Sequence, residues 1–159
     1  MIDLNNDKMI EMYKTMLRIR LFEEKLNALV AEARISGFVH LYLGEEAVAT
    51  GVCATLRNSD YITSTHRGHG HLVAKGGDPK YMMAELAARS PGYCLGRGGS
   101  LHMADFDLGI LGANGIVAGG IPIAVGSAQA FKMRGEAHIA LAFFRFTREP
   151  MDRIVVCHD

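Results

Sequence analysis

The chain carries no excess of charge. Its 17 Lys and Arg residues are matched by 17 Asp and Glu over 159 residues, and no basic run stands out. Nucleic acid and anionic membrane surfaces reward a clustered positive field, so neither is an expected partner. No apolar run reaches the length needed to span a bilayer. The first residues, Met-Ile-Asp-Leu-Asn-Asn-Asp, lack a basic region followed by an apolar stretch and do not read as a signal peptide. Cysteine is scarce: Cys53, Cys94 and Cys157 are odd in number and show no CxxC spacing. That speaks against a disulfide framework or a structural zinc site and makes a reducing cytoplasm the default expectation.

What is present is an ordinary soluble composition, 49% hydrophobic and 21% charged, in a chain long enough for one domain. The 18 glycines and 7 histidines concentrate in the middle. From Asp7, read as the N-cap, to about Ala33 the apolar residues Met9, Met12, Met16, Ile19, Phe22, Leu26 and Leu29 recur every three or four positions and predict a helix. A second helix is expected from near Gly44 to Asn58, with Val48, Val52 and Leu56 inward. Tyr61 to Ser64 reads as a short strand that runs into a polar turn, Thr65 to His71. Asp78-Pro79 opens a further helix through Tyr81, Met82 and Leu86. Pro91–His102 and Gly109–Gly120 read as glycine-rich loops. Pro122 opens a helix that Gly135 closes, and His138–Phe144 is an apolar run of strand length, of the kind buried on both faces of a parallel sheet. Helices alternating with short strands predict an α/β fold.

In open α/β sheets, ligands bind in loops at the carboxyl ends of strands. Three segments qualify, and each has a plain alternative. His66, His69 and His71 form a possible metal cluster, but three rings at this spacing converge only in an irregular loop, and no cysteine lies nearby. His66-Arg67, after a strand and before a helix, suits an anion better, because a guanidinium fork matches phosphate oxygens; a solvated turn stays open as the alternative. Gly96-Arg97-Gly98-Gly99-Ser100 resembles a phosphate loop only superficially, since it completes neither GxxxxGK[ST] nor GxGxxG after a strand, and a flexible interface loop is the plainer reading. Gly112–Val117 reads equally as a plain turn, and His40 as a buried, hydrogen-bonded ring.

Taken together, five blocks resemble one family: Met16-Leu-Arg-Ile-Arg-Leu-Phe-Glu-Glu24, Gly37-Phe-Val-His-Leu-Tyr-Leu-Gly-Glu-Glu-Ala47, Thr65-His-Arg-Gly-His-Gly70, Gly96-Arg-Gly-Gly-Ser-Leu-His-Met103 and Gly112-Ala-Asn-Gly-Ile-Val117. Their order and spacing resemble the alpha subunit of the dehydrogenase component of pyruvate, branched-chain 2-oxo acid and acetoin dehydrogenase complexes, from about Lys8 to Phe144. The His-rich block and Gly92-Tyr93-Cys94 look most like the acetoin type. The resemblance implies a partial thiamine-diphosphate-binding fold, a parallel sheet flanked by helices. It also implies thiamine diphosphate and Mg2+ bound between alpha and beta subunits, usually in an α2β2 tetramer. The reaction it implies is cleavage of a C–C bond in a small substrate, followed by acyl transfer to a lipoyl acyltransferase partner. Carried over by motif, Arg67 pairs the diphosphate and His66 holds the neighbouring contact position. Gly115 and Val117 bind the aminopyrimidine through backbone groups, and His40 orients substrate or relays a proton.

The resemblance stops at Phe144. There the family continues with Gly-Asp-Gly, which opens the magnesium-ligating segment, whereas this chain has Arg145-Phe146-Thr147. No residue of this chain is therefore expected to ligate the metal. Residues 1–144 read as the N-terminal part of the domain and 145–159 as an unrelated tail, the pattern of a frameshift, with an evolved short form as the alternative. The expected consequences are loss of catalysis by the chain alone, a collapse of cofactor affinity, and a bare apolar edge along His138–Phe144 prone to association. A non-catalytic fragment that keeps subunit contacts is the rival reading.

Overall fold

The computed structural model describes residues 4–145 and 153–157. It is an α/β fold around a four-stranded sheet. In chain order come α1 (Asn6–Ala31), α2 (Glu46–Cys53), β1 (Tyr61–Thr65), α3 (His69–Ala74), α4 (Pro79–Leu86), a 3-10 turn at Gly99–Leu101, β2 (Ile110–Asn114), α5 (Gly120–Arg134), β3 (Ala140–Phe144) and β4 (Arg153–Cys157). The strand order is β2-β1-β3-β4. β1 runs parallel to β2 and β3, and β4 is antiparallel to β3, so the sheet is mixed.

Alternation along the strands sorts residues between two helical layers. Ile62, Leu141 and Phe143 face the larger core, with Ile19, Phe22 and Leu26 of α1, Leu72 of α3 and Met82 of α4. Ala140 and Ala142 face the opposite way, onto Ala124 and Phe131 of α5. The α1 stripe is buried from Ile19 through Leu29, whereas Met9 is exposed and Met12 and Met16 are half-buried. Full burial of a side chain such as Ile19 or Leu26 contributes about 1.5–3 kcal/mol.

Several boundaries differ from expectation. Asn5, not Asp7, caps α1: its side chain accepts from the Lys8 amide at 2.9 Å. α2 buries Glu46, Ala49, Thr50 and Cys53, while Val48 and Val52 are only half-buried. Apart from Glu46, small side chains take the inner face, where α2 is wedged against both α1 and α3. Burial pushes the Cys53 thiol up to about 12, which keeps it protonated and unreactive. The glycine-rich run Gly109–Gly120 contains a strand, β2. Asp78 caps α4 as expected, accepting from Lys80 N at 2.8 Å, and Gly135 ends α5 in the left-handed region at φ 69°.

The bare edge expected along β3 is not found. β4 pairs with all of it, from Ala140↔Cys157 to Phe144↔Arg153. The outer strand is now β4, whose Ile154 and Val156 stay exposed. Residues 146–152 and 158–159 of the expected tail lie outside the described residues.

Candidate functional site

Because β2, β1 and β3 are parallel neighbours, the residues that follow each of them arrive at one end of the sheet. After β1 come His66 and Arg67, after β2 come Gly115 to Val117, and after β3 comes Arg145. His66, Arg67, Val117 and Arg145 line one cleft of about 200 Å3. His40 joins from the loop before α2, its ring edge-on to His66 with centroids 5.2 Å apart and planes at 83°. Gly115 is exposed two positions before Val117 and does not line the cleft.

The cleft is basic. The Arg67 amide donates to Thr65 Oγ1 at 3.2 Å, and its Nη1 donates to the Leu41 carbonyl. Its Nε is buried without a hydrogen-bond partner among the described residues. A buried charged donor left unmatched is unfavourable, and an oxyanion is the group a guanidinium fork satisfies. Arg145 Nη1 lies 2.5 Å from Glu45 Oε1, a pair whose side chains are 18% and 8% exposed. Among the described residues, two guanidiniums line the cleft, and the Glu45 carboxylate pairs with one of them. Arg145 fell in the segment read as an unrelated tail; a cation directly after a strand of the parallel sheet was the signal that marked it.

The three loop histidines go to three separate surroundings. His66 belongs to the cleft. His69 is buried, its Nδ1 2.9 Å from Glu23 Oε1 and its Nε2 3.0 Å from Ser100 Oγ. His71 is buried with Nδ1 2.7 Å from Ser64 Oγ, stacked on Phe143 at 3.7 Å and edge-on to Tyr42 at 4.9 Å. Among the described residues, no three His, Cys, Asp or Glu gather to hold a metal ion. Glu23 was hidden in the sequence inside the α1 stripe; a carboxylate four residues after buried Ile19 was its only sign.

The Gly96–Gly99 loop does hold an anion, but an internal one. The Glu85 carboxylate accepts from the amides of Cys94, Gly96, Gly98 and Gly99 at 2.7, 2.8, 2.7 and 3.0 Å. These donors are spent on the chain itself, so the loop offers them to no phosphate. Burial pushes the Glu85 carboxyl up, yet the four amides outweigh it and hold it below the ordinary value of 4.5. A depressed carboxyl contributes stability that is fully present above its unfolded value and is lost as pH falls through the lower folded one. Glu85→Gln is therefore expected to lower stability by about 3 kcal/mol at pH 7 and to flatten the acid dependence below about pH 4.5. Urea midpoints of both proteins across that range check it; parallel acid profiles would refute it.

The structure is an α/β layer with a cleft lined by His66, Arg67, Val117 and Arg145 at the carboxyl ends of its parallel strands. The chain belongs to the dehydrogenase E1 component family, which it matches over residues 13–144. It is 53% identical over 143 residues to the alpha subunit of acetoin:2,6-dichlorophenolindophenol oxidoreductase from Bacillus subtilis, covering 90% of this chain and 43% of that one. Its identity to the same subunit of Cupriavidus necator is 45% over 142 residues, with 89% and 43% covered. The pyruvate dehydrogenase E1 component subunit alpha of Zymomonas mobilis is 42% identical over 141 residues, with 88% and 40% covered. The resemblance read from the five blocks is thus met. The chain spans about two-fifths of the length of these curated relatives.

Proposed function

We propose that the chain is the N-terminal part of the alpha subunit of a thiamine-diphosphate-dependent acetoin or 2-oxo acid dehydrogenase, and that the cleft at His66 and Arg67 takes the diphosphate. The observation that carries this reading is the buried, unmatched Arg67 Nε in a cleft that a second guanidinium also lines. Bound there, thiamine diphosphate supplies the nucleophilic carbon and the electron sink for cleaving a C–C bond beside a carbonyl. Arg67 pairs the diphosphate, and His66 holds the adjacent contact. The backbone of Gly115 and Val117 holds the aminopyrimidine. A Cβ built on Gly115 would meet only Leu101, at 3.9 Å, so the chain's own packing does not demand glycine there; a ligand lying close along the backbone does. His40, braced edge-on by His66, orients substrate or relays a proton.

The side chains lining the cleft do not fit Mg2+, which takes oxygen ligands such as carboxylates, whereas the lining is two arginines, a histidine and a valine. The complete reaction needs a beta subunit and passes its acyl group to a lipoyl acyltransferase; the chain alone is inactive. Residues 145–159 are a tail foreign to this domain, and translation of the neighbouring reading frames tests that. Free Cys53, Cys94 and Cys157 fit a reducing cytoplasm. Among the described residues, no helix is long and apolar enough to cross a membrane.

A second reading, a non-catalytic fragment that keeps subunit contacts, is favoured by α1. Ile10, Tyr13, Leu17 and Leu21 recur at helical spacing on one face and are all exposed. Mixing the chain with the Bacillus subtilis beta subunit separates the two. The first reading expects a complex that binds thiamine diphosphate, weakly for want of the metal-ligating segment, and loses that binding in Arg67→Ala. A complex that forms without the cofactor and ignores that substitution supports the second; no complex at all contradicts both.

A further inference from the structure

Resting on that reading of the cleft, we propose that it binds a diphosphate group without a divalent cation, the Arg145 guanidinium standing where a metal would otherwise neutralise the anion. A diphosphate carries several negative charges on neighbouring oxygens, and a protein site must balance them with metal, guanidinium or ammonium groups. Here the balance is built from side chains. Arg67 reaches the cleft from the end of β1, and Arg145 reaches it from the end of β3, the neighbouring strand. They come to one anion from two directions, which suits two phosphoryl groups better than one.

Arg145 is held in place rather than loosely tethered. Its partner Glu45 stands at the start of α2 and is itself buried, and the pair is formed at 2.5 Å. That contact fixes the guanidinium at the cleft and engages the carboxylate that would otherwise oppose an anion. It also removes Glu45 as a metal ligand, because an acid closed on a guanidinium must break that pair before it can coordinate. Cleft and metal are therefore competitors for the diphosphate oxygens. Mg2+ in solution should weaken binding or leave it unchanged, the reverse of a site that needs the metal.

Calorimetric titration of the full chain with inorganic pyrophosphate, in EDTA and in Mg2+, tests this. The expected result is binding in EDTA at least as tight as in Mg2+, weakening as salt is raised. Arg145→Gln should weaken it tenfold or more in EDTA, and Arg145→Lys should recover part of that loss. Circular dichroism of each variant shows that the fold is kept. Binding only with Mg2+ and lost in Arg67→Ala would overturn the inference while leaving the diphosphate reading of the cleft intact. Binding in EDTA that Arg145→Gln leaves unchanged would also overturn it. No binding in either condition, or binding indifferent to Arg67→Ala, would overturn both.

Discussion

Glu23→Ala is expected to lower the unfolding free energy by about 3 kcal/mol or more, among the largest single effects in the chain. Glu23, His69 and Ser100 form one buried chain of contacts that joins α1, α3 and the 3-10 turn. With His69 Nδ1–H donating to Glu23, ring Nε2 is left to accept from the Ser100 hydroxyl. Removing the carboxylate strands Nδ1–H in a site closed to water, against the edge of Phe22 at 5.8 Å. Glu23→Gln keeps an oxygen acceptor and should recover part of the loss. Chemical denaturation of the three proteins checks this; an alanine variant within about 1 kcal/mol of the parent would contradict it. The effect should reach the cleft, because His69 stands two residues after Arg67 and its ring fixes the start of α3.

Gly70→Ala should be as damaging for a different reason. A Cβ at Gly70 would lie 2.1 Å from Tyr42 Cδ1, and the Tyr42 ring is fully buried, edge-on to His71. The ring has nowhere to go without shifting its own backbone. That backbone includes Leu41, whose carbonyl anchors Arg67, and His40, which braces His66. Overpacking of this kind destabilises by about 3 kcal/mol, and here it should weaken pyrophosphate binding as well. Gly51→Ala is the control. It lies inside α2 with nothing within 4 Å of an added Cβ, so it should stabilise by about 0.5–1 kcal/mol. Thermal melts of the pair should move in opposite directions, and only Gly70→Ala should weaken the titration; equal effects would refute the steric account.

These two sites also show where the sequence was legible. The periodicity of α1, the Asp78-Pro79 start, the Gly135 stop, the short strand stretch of β1 and the apolar run of β3 are local signals, and the structure follows them. β2 was not legible. Ile110 and Leu111 are its only strongly apolar residues, among glycines that favour turns, and pairing with β1 imposes the strand. His69 and His71 read as polar turn residues because their partners, Glu23 on α1 and Phe143 on β3, are distant in sequence. For the site, motif placed His66, Arg67 and Val117, which share one cleft. Arg145 and its partner Glu45 are 100 residues apart, and only the fold brings them together.

The central claim is that the cleft at the ends of β1, β2 and β3 receives thiamine diphosphate. Nuclear magnetic resonance titration of the labelled chain with thiamine diphosphate tests it most directly. The account predicts shifts of the His40 and His66 ring signals, the Arg67 side chain and the Gly115–Val117 amides. Shifts confined to another cleft, such as that between Phe38 and Leu101, or no saturable shift at all, would contradict it.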